Sequence, residues 1–182
     1  MSSQRVKLTY RDYLQMPEEQ RWELLEGDLR MVPTPGFRHQ QVLSELNSVL
    51  RSFVQGQGLG QVYFALLDVI LDDDSVVQPD LMVILKERLS IIKPEGLRGA
   101  PHLVVEVLSP GTAHRDRGVK RNLYGRYGVQ EYWMVDPQER TVEVTSLKNG
   151  ALETVNLFTA GSALRSPLFP GLTLALDDLF VQ

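Results

Sequence analysis

His102-Leu103-Val104-Val105-Glu106-Val107-Leu108-Ser109 is an almost unbroken apolar run with a single acid inside it. Such runs are strands covered on both faces, so residues 101–108 belong inside a sheet. Strand alternation puts Glu106 on the face of Val104 and Leu108. A lone buried carboxylate is costly, and Glu106 therefore needs a cation or strong hydrogen bonds. Downstream, residues 112–127 read as a helix that stops at Gly128, the usual residue at a helix C-terminus. Residues 132–135 follow as a strand ended by Asp136-Pro137. Upstream, residues 76–85 read as a strand, and residues 62–71 as a strand pair or one long bent strand. Residues 86–99 connect, with a short helix. Before them, apolar positions 42, 43, 46, 49, 50, 53 and 54 follow helical spacing from Phe37 to about Gln55.

The ends of the chain are built differently. Thr9 caps a short helix over residues 10–16, which Pro17 ends. Residues 21–25 and 29–32 flank Glu26-Gly27-Asp28 as a hairpin. Residues 141–147 and 152–158 form a second hairpin across Lys148-Asn149-Gly150, a strong turn signal. Residues 170–180 add a last strand and a short helical turn. The order is hairpin, helix, three strands, helix, strand and β-meander. It predicts one α/β domain over residues 1–182 with a mixed, α+β-like sheet, not the strict alternation of a Rossmann fold.

Composition narrows the function. The 182 residues are 43% hydrophobic and 23% charged, ordinary globular proportions. There is no cysteine, which excludes disulfides, thiolate zinc sites and cysteine nucleophiles. No apolar run approaches the roughly 18 residues of a membrane span, and the polar Met1-Ser2-Ser3-Gln4-Arg5 lacks a signal peptide's apolar stretch. The cytoplasm is the expected compartment, and no membrane partner is expected. A net charge of −4 argues against non-specific coating of nucleic acid, although Arg115, Arg117, Lys120, Arg121 and Arg126 form a local basic cluster. Phosphate-cradling loops, zinc-binding H-E-x-x-H and the G-x-S-x-G elbow are all absent.

Carboxylates on strands remain. In Gln78-Pro79-Asp80-Leu81-Met82-Val83-Ile84 the acid opens an otherwise apolar strand. Asp80 and Glu106 on neighbouring strands make a hard, oxygen-rich site suited to Mg²⁺ or Mn²⁺. On the following helix Asp116, Lys120 and Tyr124 are four apart and share a face. Taken alone, Asp116 and Lys120 read as a surface ion pair. The acidic turn Asp72-Asp73-Asp74 reads as solvated, not as a metal cluster.

These pieces occur in an order that resembles a known family. Pro79-Asp80, Glu106-Val107-Leu108-Ser109-Pro110, Asp116-x-x-x-Lys120-x-x-x-Tyr124 and Gly128-Val129-Gln130-Glu131-Tyr132-Trp133-x-Val135-Asp136-Pro137 are similar to the Uma-type restriction-endonuclease family of the PD-(D/E)XK nuclease superfamily. Trp22-Glu23-Leu24-Leu25-Glu26-Gly27-Asp28-Leu29 and Pro170-Gly171-Leu172 extend the likeness over nearly the whole chain. The resemblance implies a restriction-endonuclease-like core of helix, three strands, helix and strand, between the N-terminal hairpin and the C-terminal meander. It also implies Mg²⁺- or Mn²⁺-dependent hydrolysis of nucleic acid, with DNA as the expected partner. Asp80 and Glu106 would hold the metal. The superfamily's lysine position, two after the glutamate, is Leu108; by analogy with members whose lysine has migrated, Lys120 supplies the charge. Glu23 matches the family's hairpin glutamate and is the further catalytic candidate, with Glu26 as its neighbour. His39, Ser109 and Tyr124 are candidate substrate contacts. A homodimer is expected, since cutting two strands requires two sites. The rival reading is a non-catalytic binding module that keeps the nuclease fold.

Overall fold

The computed structural model describes residues 6–17, 19–64 and 66–180, so the polar start at residues 1–5 lies outside the described residues. A short helix α1 (Tyr10–Tyr13) precedes the hairpin of β1 (Arg21–Leu25) and β2 (Asp28–Val32). The long helix α2 (Phe37–Gly56) leads to β3 (Gly60–Phe64), β4 (Val69–Asp72), β5 (Ser75–Val77) and β6 (Leu81–Leu85). A 3₁₀ turn (Lys86–Ile91) and a small hairpin, β7 (Ile92–Lys93) and β8 (Gly96–Arg98), come before β9 (Leu103–Val107). One helical segment follows in three parts: α3 (Ala113–Arg115), a π-helical turn (Asp116–Lys120) and α4 (Arg121–Tyr127). The chain ends with β10 (Glu131–Asp136), β11 (Thr141–Lys148), β12 (Ala151–Thr159), the pair β13 (Ala163–Arg165) and β14 (Thr173–Ala175), and α5 (Leu176–Leu179).

These strands form two six-stranded sheets, ordered β2-β1-β5-β4-β8-β7 and β12-β11-β10-β9-β6-β3, with β13-β14 apart. Both large sheets are mixed, because β4 runs parallel to β8 and β9 parallel to β10. Periodicity read residues 76–85 as one strand, and the structure corrects this. β5 belongs to the first sheet and β6 to the second. The break falls at Gln78-Pro79, where proline has no N–H to continue a ladder. Likewise β3 and β4 lie in different sheets, with Leu66 at φ +57 in the connection. The expected helix over residues 10–16 is a single turn that closes at Tyr13; the Asp12 carboxylate accepts from the Thr9 N–H and hydroxyl, both at 2.8 Å.

The second sheet is the frame of the molecule. Val42, Leu43, Leu46, Leu50 and Val54 of α2 pack with Leu81, Val83, Leu103, Val105, Trp133 and Val135 on one face. On the other face Met82, Ile84, Val104, Leu108, Tyr132 and Met134 meet Leu123 and Tyr124 of α4. Leu25, Val69, Val77 and Leu97 of the first sheet join that second cluster. Gly125 lets α4 come close to the β11–β12 hairpin: a β-carbon there would lie 3.2 Å from the Leu152 amide nitrogen and 3.3 Å from the Gly150 carbonyl. Between β6 and β9, Leu81 faces Val105 and Met82 faces Val104. One step further along this antiparallel register sets Asp80 across from Glu106, and facing residues on such a pair share a side of the sheet.

Candidate active site

Asp80 sits just before β6, where the chain has passed Pro79 and is entering the sheet. Its Oδ2 accepts the Val107 N–H at 2.8 Å and lies 3.0 Å from His39 Nε2. His39 reaches it from the first turn of α2. Glu106 points from the middle of β9 toward the π-helical turn. Its Oε1 lies 2.5 Å from Lys120 Nζ and accepts the Tyr124 hydroxyl at 2.7 Å. Glu23 comes from β1 of the other sheet. Its Oε1 takes the Gln78 N–H at 3.0 Å and Lys120 Nζ at 2.8 Å. Both sheets therefore contribute an acid to one lysine.

Asp116 and Lys120 do not form the surface ion pair that their spacing taken alone suggests. Both are buried, 4% and 3% exposed, with Asp116 Oδ1 3.5 Å from Lys120 Nζ. The π-helical turn that carries them is a widened turn of a kind common at functional sites. It places the Asp116 carbonyl where the Tyr132 hydroxyl donates to it at 3.1 Å. The basic cluster predicted around this helix is also dispersed. Arg117 pairs with Asp136 and Glu143, Arg121 with Glu143, and Arg126 with Glu26. Only Arg115 of that set joins Lys120 in lining the cleft, with Arg21 opposite on β1.

Glu23, Asp80, Glu106 and Asp116 thus share one cleft with a single ammonium. Burial pushes the Glu106 pKa well above the usual carboxylate range; Lys120 opposes this, while Asp116, Asp80 and Glu23 add to it. Asp116 is raised for the same reasons, burial first. Burial works against the charge on Lys120, but Glu106, Glu23 and Asp116 together outweigh it and hold its pKa well above normal. The lysine stays cationic, and the cluster around it carries more acid than one cation neutralises. Tyr124 is raised far above the ordinary phenol value by burial and by Glu106, so it acts as a donor that fixes the carboxylate.

The donor chemistry suits a hard divalent cation. One oxygen of each central acid is held by protein: Oδ2 of Asp80 and Oε1 of Glu106. The other two, Asp80 Oδ1 and Glu106 Oε2, have no hydrogen-bond partner among the described residues, and both acids line the cleft. Among the described residues no three His, Asp or Glu side chains are grouped closely enough to hold a metal by themselves. Two carboxylates with water and phosphate making up the rest is the ordinary way Mg²⁺ is bound.

The structure brings Glu23, His39, Asp80, Glu106, Ser109 and Lys120 to one cleft, with Tyr124 directly behind Glu106. Glu26 is not among them; it caps the hairpin turn at φ +51 and pairs with Arg126. The Asp72–Asp74 turn is exposed, with Tyr127 donating to Asp72 at 3.0 Å. Sequence reasoning missed Asp116 as part of the site, and also Arg21 and Gln78. No spacing rule marks Gln78, since its backbone N–H, not its side chain, holds Glu23.

Comparison with known proteins agrees with this geometry. Residues 10–177 match the Uma2 family, described as "Putative restriction endonuclease". Among solved structures, one described as "a putative nuclease belonging to DUF820" from Anabaena variabilis ATCC 29413 is 27% identical. The match covers 95% of this chain and 97% of that one, with a TM-score of 0.80. No curated protein matches the chain. Among the described residues no helix is long and apolar enough to cross a membrane. Fold, motif order and family match converge on one conclusion: the chain belongs to the Uma2 family and has its restriction-endonuclease-like fold.

Proposed function

We propose that the protein is a metal-dependent endonuclease that hydrolyses phosphodiester bonds in DNA. The observation that carries this reading is the pair Asp80 and Glu106, opposed across β6 and β9, each with one oxygen pinned and one free, beside the buried ammonium of Lys120. Asp80 Oδ1 and Glu106 Oε2 would hold Mg²⁺ or Mn²⁺, which supplies Lewis-acid polarisation of the scissile phosphate and lowers the pKa of water. His39 and the Val107 amide keep Asp80 aimed; Tyr124 does the same for Glu106. Lys120 is preorganised by Glu23 and Asp116, so its charge meets the negative charge that develops on phosphate oxygens without first having to be desolvated. Glu23 is in this scheme a positioning residue that acts through Lys120. Arg21, Ser109 and Arg115 line the cleft and offer donors to the substrate's flanking phosphates. Two paired copies would present two such sites to a duplex.

The test is cleavage by purified protein. With Mg²⁺ or Mn²⁺ it nicks or cuts nucleic acid, and a chelator stops it. Asp80→Asn and Glu106→Gln each abolish cutting with the fold intact. Calorimetry on the same variants gives an independent reading, because metal binding is lost with them. Cleavage that survives the chelator or both substitutions would sink the metal mechanism at Asp80 and Glu106. Neither cleavage nor metal binding in the wild type would return the protein to the class of binding modules.

A further inference from the structure

A second hollow abuts the cleft across the first turn of α2. Gly36 and His39 line the cleft, while Phe37 and Arg38 between them line the hollow, together with Gln41, Pro137, Gln138 and Arg140. Its volume is ≈ 240 Å³. Phe37 is 86% exposed, the most exposed aromatic of the described residues with exposed large apolar side chains. Scattered exposed residues such as Leu157 need no explanation. Phe37 differs because it lines the hollow together with Arg38 and Arg140 and sits two residues from the histidine that holds Asp80. Arg140 occupies the β10–β11 turn with φ +54, a conformation that glycine and asparagine adopt more easily. Among the described residues its one acidic partner, Asp177, lies at the long distance of 3.9 Å. The Arg140 side chain is 41% exposed where it lines the hollow, which leaves its charge open to an anionic ligand.

We infer that this hollow takes an unpaired nucleobase adjacent to the scissile phosphate, stacked on Phe37, with its backbone phosphate on Arg38 and Arg140. The inference rests on the nuclease reading and names its substrate class: single-stranded nucleic acid, or a strand locally freed from its partner. A base inside a duplex has both faces covered by its neighbours and cannot lie on Phe37 unless it is flipped out. Aromatic stacking beside a basic groove is the general means of holding single strands without reading their sequence.

Fluorescence anisotropy with a labelled DNA strand of about a dozen nucleotides, and with its duplex, tests this at low salt in EDTA, where cleavage is blocked. The wild-type protein binds the single strand more tightly than the duplex. Phe37→Ala weakens single-strand binding about 5- to 150-fold, the range of one base–aromatic stack, and leaves the melting temperature unchanged. Phe37→Trp retains binding, and 2-aminopurine in the strand is quenched by the wild type but not by Phe37→Ala. Equal affinity for strand and duplex, no binding to either, or indifference to Phe37→Ala overturns the inference. Cleavage that needs Asp80 and Glu106 but ignores Phe37 also overturns it, and leaves the nuclease standing. Strand binding that needs Phe37, without metal-dependent cleavage, leaves the hollow standing and removes the nuclease.

Discussion

Glu106 and Glu131 are both buried acids on adjacent parallel strands, 4% and 1% exposed, yet their surroundings are opposite. Glu131 lies on the α2 side of the sheet with Trp133. Its Oε1 accepts the Trp133 indole N–H at 2.6 Å and the Ser166 hydroxyl at 2.7 Å, and its Oε2 accepts the Leu168 N–H at 2.8 Å. Burial raises its pKa, and those three neutral donors pull it back. Both of its oxygens are engaged, and the residue ties the C-terminal segment to β10. Glu106 instead shares one lysine with Glu23 and Asp116, has Asp80 as a further like charge nearby, and keeps an oxygen free. A carboxylate surrounded by neutral donors is a structural pin. One crowded by like charges, with an unspent oxygen facing a cleft, matches the cation-binding role proposed for it.

The sharpest way to break this contrast is to neutralise each acid in turn. Glu106→Gln and Asp80→Asn reduce metal-dependent cleavage to background, whereas Glu131→Gln leaves it within a few-fold of wild type. Stability moves the other way. The raised pKa of Glu106 means that its charged form is disfavoured in the folded protein, so Glu106→Gln keeps or raises the melting temperature at neutral pH. A large loss of stability in Glu106→Gln would show that Glu106, too, is a structural pin.

Lys120 is the next largest effect. Removing one partner of a buried charge set leaves the rest uncompensated, typically at a cost of about 3–5 kcal/mol. Lys120→Met strands Glu23, Glu106 and Asp116, and urea denaturation of the metal-free protein should register a loss of that order. Adding Glu106→Gln to the same chain restores part of it, because one of the stranded charges is gone. Additive losses in the double variant would mean that the two side chains do not share a charge balance. Any cutting that survives in Lys120→Ala is slower by about 10²–10³ with metal affinity little changed.

Much of this site was legible because buried acids are conspicuous in apolar strands. Asp80 and Glu106 stood out by contrast with Leu81–Leu85 and Leu103–Val107. The two hairpin turns were legible too, since Gly27 at φ +79 and Asn149-Gly150 at φ +50 and +80 need residues that tolerate left-handed backbone. What was hidden depended on tertiary placement. Spacing put Asp116 and Lys120 on one helix face but could not say that this face turns inward. Nor could alternation show that residues 76–85 change sheets, since β5 and β6 are both apolar and only Gln78-Pro79-Asp80 separates them. The first sheet, which brings Glu23 to the lysine, was therefore read only as scattered strands.

Glu131 sharpens the comparison from the structural side. Gln at that position keeps an oxygen for Trp133 and Ser166 but turns an amide donor toward the Leu168 N–H. Leaving a buried donor unmet costs about 1–3 kcal/mol, so Glu131→Gln should lower stability by that amount. Ser166→Ala removes one bond from the same carboxylate and should cost less. Equal or higher stability in Glu131→Gln would make this acid a second functional candidate.

The smallest effect distinguishes the two ends of β9 itself. His102 lies on the same strand face as Glu106 and is also buried, but it is neutral by design of its contacts. Its Nδ1 accepts the Leu85 N–H at 3.1 Å, which puts the ring proton on Nε2, 3.2 Å from Glu87 but not aligned as a hydrogen bond. Burial lowers its pKa, Arg88 lowers it further, and Glu87 offsets part of the shift. For a histidine with a depressed pKa the unfolded chain binds the extra proton first. Its contribution to stability is then complete above the ordinary value of about 6.5 and is lost as pH falls from there toward the lower folded pKa. The slope for one proton cannot exceed about 1.4 kcal/mol per pH unit. Denaturation of wild type and His102→Gln at pH 7 and pH 5.5 should therefore show a steeper loss on acidification in the wild type. The difference lies below that limit, whatever the glutamine costs at neutral pH. Parallel slopes would mean that the fold leaves the proton affinity of His102 unchanged, and a shallower loss in the wild type would mean that the imidazole keeps its proton in the folded protein, held by Glu87.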